Sequence, residues 1–218
     1  QDMPNGGLID GPVVAFLSLT VGIRRDDTRR LRRFGRADAA NRAEYQAELR
    51  GMIDHLYNAA CIAVWVPFNE SWGQFHANDA ARWVKDYDPT RLVDHASGWF
   101  DQGGGDFQSK HIYFRKCYRP KPDGRAFVIS EFGGLAYYAA DHSALDHAYG
   151  YETYRSLDEL QTAVDAARHE VKSLADKGLV GSVYTQLSDI EEEDNGLVSY
   201  DRRIVKLSRH GRRPEPSA

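Results

Sequence analysis

Two apolar runs that stop at a glutamate constrain this chain more than any other feature. Ile62–Phe68 runs into Asn69-Glu70-Ser71-Trp72-Gly73, and Ala126–Ser130 runs into Glu131-Phe132-Gly133-Gly134. A strand that is apolar along its whole length has both faces buried, which is the pattern of a parallel sheet covered by helices. Arg91–His95, His111–Phe114 and Leu179–Leu187 have the same strand character. Amphipathic helices alternate with them. Tyr45, Leu49, Met52, Ile53 and Leu56 form one stripe over Ala43–Asn58, and Leu157, Leu160, Val164, Ala167, Val171 and Leu174 form another over Ser156–Lys177. The second is opened by the capping box Ser156-x-x-Glu159 and closed by Gly178. Helix–strand alternation with continuous apolar strands predicts an α/β fold, a parallel sheet with surrounding helices.

Composition removes several function classes. The longest apolar stretch, Val13–Ile23, is too short for a spanning helix and is interrupted by Ser18, Thr20 and Gly22. No signal-peptide pattern opens the chain. The net charge of −4 gives no general pull toward nucleic acid. Cys61 and Cys117 lack CxxC spacing, and the eight His form neither HExxH nor a close cluster, so no metal ligands are expected.

The chemistry sits at the strand ends. In parallel α/β folds, loops beyond the carboxyl ends of strands build the site. Paired carboxylates there suit glycosidic bond cleavage: one protonates the leaving oxygen, and the other attacks carbon or activates water. A charged residue capping an apolar strand also lies near low-dielectric surroundings, which tune its proton affinity. Glu70 and Glu131 are that pair.

The runs Trp65-Val66-Pro67-Phe68-Asn69-Glu70-Ser71-Trp72-Gly73, Asp88-Pro89-Thr90-Arg91, Ser130-Glu131-Phe132-Gly133-Gly134 and Tyr184-Thr185-Gln186-Leu187-Ser188-Asp189, followed by Asn195-Gly196 and Tyr200-Asp201-Arg202, together resemble glycoside hydrolase family 2. That family holds β-galactosidases, β-glucuronidases and β-mannosidases on a (β/α)8 TIM barrel. The resemblance implies a retaining glycosidase acting on a β-linked saccharide, with Glu70 as general acid/base and Glu131 as nucleophile. It implies that Asn69 binds the sugar 2-hydroxyl and that Tyr113, in His111-Ile112-Tyr113, contacts the nucleophile. Asp2 and Asn5, in a segment like the end of the third barrel strand, join His111 and Gln186 as further substrate contacts. Trp72, Trp99 and Phe132 are candidates to stack on sugar faces.

The same resemblance implies a partial barrel, from the end of its third strand through its eighth. Residues 1–208 would be the C-terminal portion of the catalytic domain, and 209–218 a flexible tail. A complete barrel takes about 250 residues, so the missing strands would precede Gln1. Open barrel edges would pair with a second copy of the chain, and the alternative to an enzyme is a silent, self-associating fragment. No cofactor is expected; some family members bind a Mg or Na ion near the site, but their motif has no match here. The departures are Ala59-Ala60 where many relatives have His-Pro, Phe114-Arg115-Lys116 where Pro often follows the tyrosine, and Thr185-Gln186 where several place a Trp. They leave the sugar open. Asp189–Gly196 lacks the Gly and Glu positions of a calcium loop and reads as a solvated acidic loop ending in an Asn-Gly turn. Arg24–Arg36 reads as a solvated basic face in preference to a polyanion site.

Overall fold

A computed structural model of the chain describes residues 1–4, 36–70, 73–147 and 149–207. They divide into two compact units, Gln1–Lys110 with Pro122–Phe127, and His111–Lys121 with Val128–Ala218. The fold is mixed α/β, with parallel strand pairs and no closed barrel among the described residues.

In the first unit, α1 spans Ala39–Leu56 and buries Tyr45, Leu49 and Ile53. It starts four residues before the apolar stripe because Asp38 caps it, accepting from the amides of Ala40 at 2.8 Å and Asn41 at 3.4 Å. The run Ile62–Phe68 contains β1 (Val64–Trp65), which pairs parallel with β2 (Leu92–Val93), Val64 opposite Leu92. Gln1–Met3 lies along the continuation of β1: the Val66 amide donates to the Gln1 carbonyl at 2.9 Å and the Met3 amide to the Val66 carbonyl at 3.0 Å. The opening segment is therefore bridged in parallel to the residue after β1, Asp2 opposite Val66. Between β1 and β2 lies α2 (Ala77–Tyr87), which buries Ala77, Ala81 and Val84. The core gathers Trp65, Phe68, Phe75, Leu49, Ile53 and Val84, with Tyr45 stacked on Phe68 at 5.2 Å and Phe75 edge-on to both.

The motif Asp88-Pro89-Thr90-Arg91 ties this unit together. The fully buried Asp88 carboxylate accepts from Trp65 Nε1 at 2.8 Å, Thr90 Oγ1 at 2.5 Å and Arg91 Nη1 at 2.7 Å. Burial alone would raise its pKa, but bonds from Thr90, Trp65 and Arg91 outweigh that and hold it well below the usual carboxylate range. Arg91 spends its other donors on the carbonyls of Tyr57, Ala59 and Ile62. One buried ion pair thus fixes the connection between α1 and β1.

The three-stranded sheet has the order β3 (Phe107–Ile112), β4 (Ala126–Gly133), β7 (Leu179–Thr185). Residues His111 and Ile112 of β3 and Val128–Gly133 of β4 belong to the second unit. There β5 (Leu135–Ala136) pairs parallel with β6 (Glu152–Thr153), and α3 (Leu157–Lys172) follows. Ser156 caps α3, its Oγ accepting from the Glu159 amide at 3.2 Å, while the Glu159 carboxylate reaches back to the Arg155 amide at 2.9 Å. The helix ends earlier than its apolar stripe. A single 3-10 turn, Ala175–Lys177, continues the path to Gly178, whose φ of +92° closes it. Leu160 and Val164 of α3 pack with Leu135 and Leu207.

Two strand expectations need correction. His111–Phe114 is not the strand; β3 begins at Phe107 and stops at Ile112, because Phe114 turns into the left-handed region at φ +59°. Leu179–Leu187 is not a two-face-buried strand. Val180 is 66% exposed, Val183 59% and Leu187 75%, and among the described residues β7 stands at the end of its sheet.

Candidate active site

Glu131 does not follow its strand but lies inside β4, where its carboxylate is three-quarters buried. Two side chains converge on one of its oxygens. The Tyr113 hydroxyl donates to Oε2 at 2.5 Å, and Nδ1 of the fully buried His111 lies 3.2 Å from the same atom. Tyr113 is also 3.0 Å from Thr185 Oγ1 at the end of β7. Three sheet strands therefore contribute to the setting of one carboxylate. A carboxylate held by a phenol donor is fixed in orientation.

The glycine pair at the end of β4 makes room for aromatic rings that a side chain there would strike. Gly133 and Gly134 have φ of +102° and +67°, a backbone that side chains disfavour. A Cβ on Gly133 would lie 2.4 Å from Tyr184, and one on Gly134 would lie 2.2 Å from Tyr151. The Gly134 amide donates to the Thr185 carbonyl at 2.9 Å, and its carbonyl accepts from the Tyr151 amide at 3.1 Å. Phe132 is 5% exposed and edge-on to Tyr184 at 5.4 Å, so it is a core ring and not a sugar platform.

Gln186 belongs to the loop network beyond β7. Its Nε2 donates to Glu193 Oε2 and Asn195 Oδ1, both at 2.8 Å. The acidic loop is not solvated throughout. Asp189, Asp194 and Asn195 are buried, and Lys206, fully buried, donates to Asp189 Oδ1 at 2.7 Å, the Asp194 carbonyl at 2.8 Å and the Tyr137 carbonyl at 2.9 Å. Desolvation raises the Asp189 carboxyl and lowers the Lys206 ammonium, each opposed by their mutual contact. Acidic letters in a row read as a wet loop; a lysine 17 residues downstream converts part of it into a buried clasp.

The first unit holds the remaining candidates. Asn69 and Glu70 are half-buried directly after the fully buried Phe68. Asp2 is exposed and takes part through its backbone, in a parallel bridge with Val66. Trp99 is half-buried, and its carbonyl accepts from Gln74 Nε2 at 3.0 Å. Asn5 and Trp72 lie outside the described residues, as do 24–35 of the arginine-rich stretch and the tail 209–218. Arg36 itself is buried, 4.9 Å over the Tyr45 ring and bonded to the Gly73 carbonyl at 2.9 Å, so it is a structural cation and not part of a solvated face. The sequence missed His95, a buried histidine whose Nε2 accepts from the Gln102 amide at 3.1 Å. Burial drives its pKa down to about 4.

No family model and no curated protein matches the sequence. Solved structures do match in fold. An FMN-binding β-glucuronidase from Faecalibacterium prausnitzii L2-6 is similar with a TM-score of 0.55 at 18% identity over 78% of this chain. The β-glucuronidase of Parabacteroides merdae gives 0.54 at 15% identity over 93%. That of Bifidobacterium dentium, complexed with coumarin-3-O-glucuronide, gives 0.51 at 15% over 93%. This chain spans 31%, 27% and 38% of the lengths of those chains respectively. At these identities the likeness is one of fold: the chain is built like a portion of bacterial β-glucuronidases.

Proposed function

We propose that the chain is the carboxylate-bearing portion of a retaining β-glycoside hydrolase of the family 2 type, built on part of a (β/α)8 barrel. The observation that carries this reading is the double engagement of Glu131 Oε2 by Tyr113 and His111, which fixes the orientation of the carboxylate. In the first step Glu131 attacks the anomeric carbon as the bond to the leaving oxygen breaks, and Glu70 gives that oxygen its proton. In the second, Glu70 takes a proton from water, which attacks the same carbon and releases Glu131. A retaining pair works at about 5–5.5 Å separation. Asn69 holds the sugar 2-hydroxyl. Asp2, Asn5, His111, Trp72, Trp99 and Gln186 are proposed to line the sugar's surroundings. The reaction needs no cofactor.

Because the similar structures are β-glucuronidases, and one carries an aromatic glucuronide, nitrophenyl β-D-glucuronide is the first substrate to try, followed by the β-galactoside, β-glucoside and β-mannoside. The expected result is release of nitrophenol from at least one, abolished by Glu131→Gln. Turnover that survives Glu131→Gln contradicts the assignment. A second reading has its own observation: the exposed Val180 and Val183 on β7, the last strand of its sheet among the described residues, and the exposed Leu187 just beyond it suit a self-associating module. Concentration-dependent dimers in sedimentation, weakened by Val183→Lys, together with no turnover across the panel, would favour it.

A further inference from the structure

Tyr113 reaches Glu131 from outside the strands. The strand β3 stops at Ile112, and Phe114 turns into the left-handed region at φ +59°, so no strand pleat fixes the direction of the Tyr113 side chain. Its ring is held by contacts at two points. Tyr151 lies against it at 4.2 Å, centroid to centroid, with a 31° tilt. Its hydroxyl sits between Glu131 Oε2 at 2.5 Å and Thr185 Oγ1 at 3.0 Å. Glu131 and Thr185 stand on β4 and β7, neighbouring strands of one sheet. The Thr185 carbonyl also accepts from the Gly134 amide at 2.9 Å, which ties the end of β7 to the residue after β4.

Each pair of bonded oxygens shares one proton. The phenol's proton goes to the charged carboxylate. The contact with Thr185 is therefore made by the threonine's own proton, donated to the phenol oxygen. We infer that Thr185 is a positioning residue for the glycosidase reaction: its hydroxyl, acting through Tyr113, aims and strengthens the hydrogen bond that holds Glu131. This rests on the reading of Glu131 as nucleophile and adds a residue to it. A hydroxyl hydrogen turns to suit its partners, and a donor on the Thr185 side turns that of Tyr113 toward Glu131. Bonds in such a chain also polarise one another, each gaining about 10–30% in strength. Thr185 thus lends the order of the sheet to a tyrosine that lies beyond the end of its own strand.

The test uses the full chain with tyrosine labelled by carbon-13 at Cζ, together with steady-state kinetics on the aryl β-glycoside it turns over. Thr185→Val removes the donor while keeping the side chain's shape and the backbone bond to Gly134, and Thr185→Ser keeps the donor. Thr185→Val is expected to lower kcat/KM about two- to tenfold, the range for one neutral hydrogen bond. It is also expected to move the Tyr113 Cζ resonance, assigned as the one lost in Tyr113→Phe. Thr185→Ser should preserve both. Tyr113→Phe leaves the threonine no phenol to donate to, so adding Thr185→Val there should change kcat/KM by less than about twofold. An unmoved resonance or an unchanged kcat/KM in Thr185→Val overturns the inference. So does a Thr185→Ser chain as impaired as Thr185→Val, or an undiminished cost of Thr185→Val in the Tyr113→Phe background. A resonance that moves in Thr185→Val and is kept in Thr185→Ser, in a chain that turns over no glycoside, would leave the threonine–tyrosine bond standing while the nucleophile reading fell.

Discussion

The Tyr113 hydroxyl lies 2.5 Å from Glu131 Oε2 and 3.0 Å from Thr185 Oγ1, and its one proton goes to the charged oxygen. A hydrogen bond to a charged group is worth about 1.5–3 kcal/mol. Tyr113→Phe should therefore lower kcat/KM roughly 10- to 100-fold on whichever aryl glycoside is turned over. Unfolding free energy should change by less than about 1 kcal/mol, because Glu131 keeps partial access to water. Steady-state kinetics alongside urea unfolding separates the two effects; equal activity in Tyr113→Phe would remove the tyrosine from the mechanism. The contact of Tyr113 with Glu131 was legible from the His111-Ile112-Tyr113 and Ser130-Glu131 motifs, whereas His111 was expected at the substrate and lies beside the carboxylate. The contact of Tyr151 with Tyr113 was not legible, since it rests on the positive φ of the glycine pair.

At the scale of elements, the segment after β7 is organised by Lys206. All three of its donors are used, on Asp189, Asp194 and Tyr137, and Gly196 adds its amide to Asp189 Oδ1 at 2.8 Å. Lys206→Met leaves a buried carboxylate without its cation, a loss of about 3–5 kcal/mol. Adding Asp189→Leu should recover part of that, and chemical denaturation of the two variants measures it; a Lys206→Met chain as stable as the parent would show the clasp idle. Sequence pattern found α1 and α3 because their stripes use large apolar residues. It missed α2, whose buried side includes only Ala77, Ala81 and Val84 and whose N-cap, His76, is left-handed with no side-chain bond. It also missed β5 and β6, which are two residues each and defined by their partners. In β7, apolar letters predicted burial, yet Val180 and Val183 are exposed; burial is decided by neighbours that a strand's own sequence does not contain.

For the whole molecule, stability should depend on pH through His95. Its folded pKa is held near 4 by burial, with Asp101 raising and Arg125 lowering it, whereas an unfolded histidine titrates near 6.5. Between those values the unfolded chain binds a proton that the folded chain refuses. Stability is thus full above about pH 6.5 and falls as pH drops toward 4, by up to about 1.4 kcal/mol per pH unit. His95→Gln should flatten that slope in urea titrations across the window, and an unchanged slope would locate the dependence elsewhere. The α/β class was legible from apolar strands alternating with helices, and the matches to β-glucuronidases agree with it in fold.

Glu131 is proposed to carry the covalent glycosyl intermediate. Incubating the full chain with a 2-deoxy-2-fluoro aryl β-glycoside of the sugar it turns over, which slows release of the glycosyl group, followed by peptide mass spectrometry, tests this most directly. One added fluoroglycosyl mass is expected on the peptide containing Glu131, absent in Glu131→Gln. An adduct on Glu70 or another residue, or turnover of the fluoroglycoside with no adduct at any time, would contradict it.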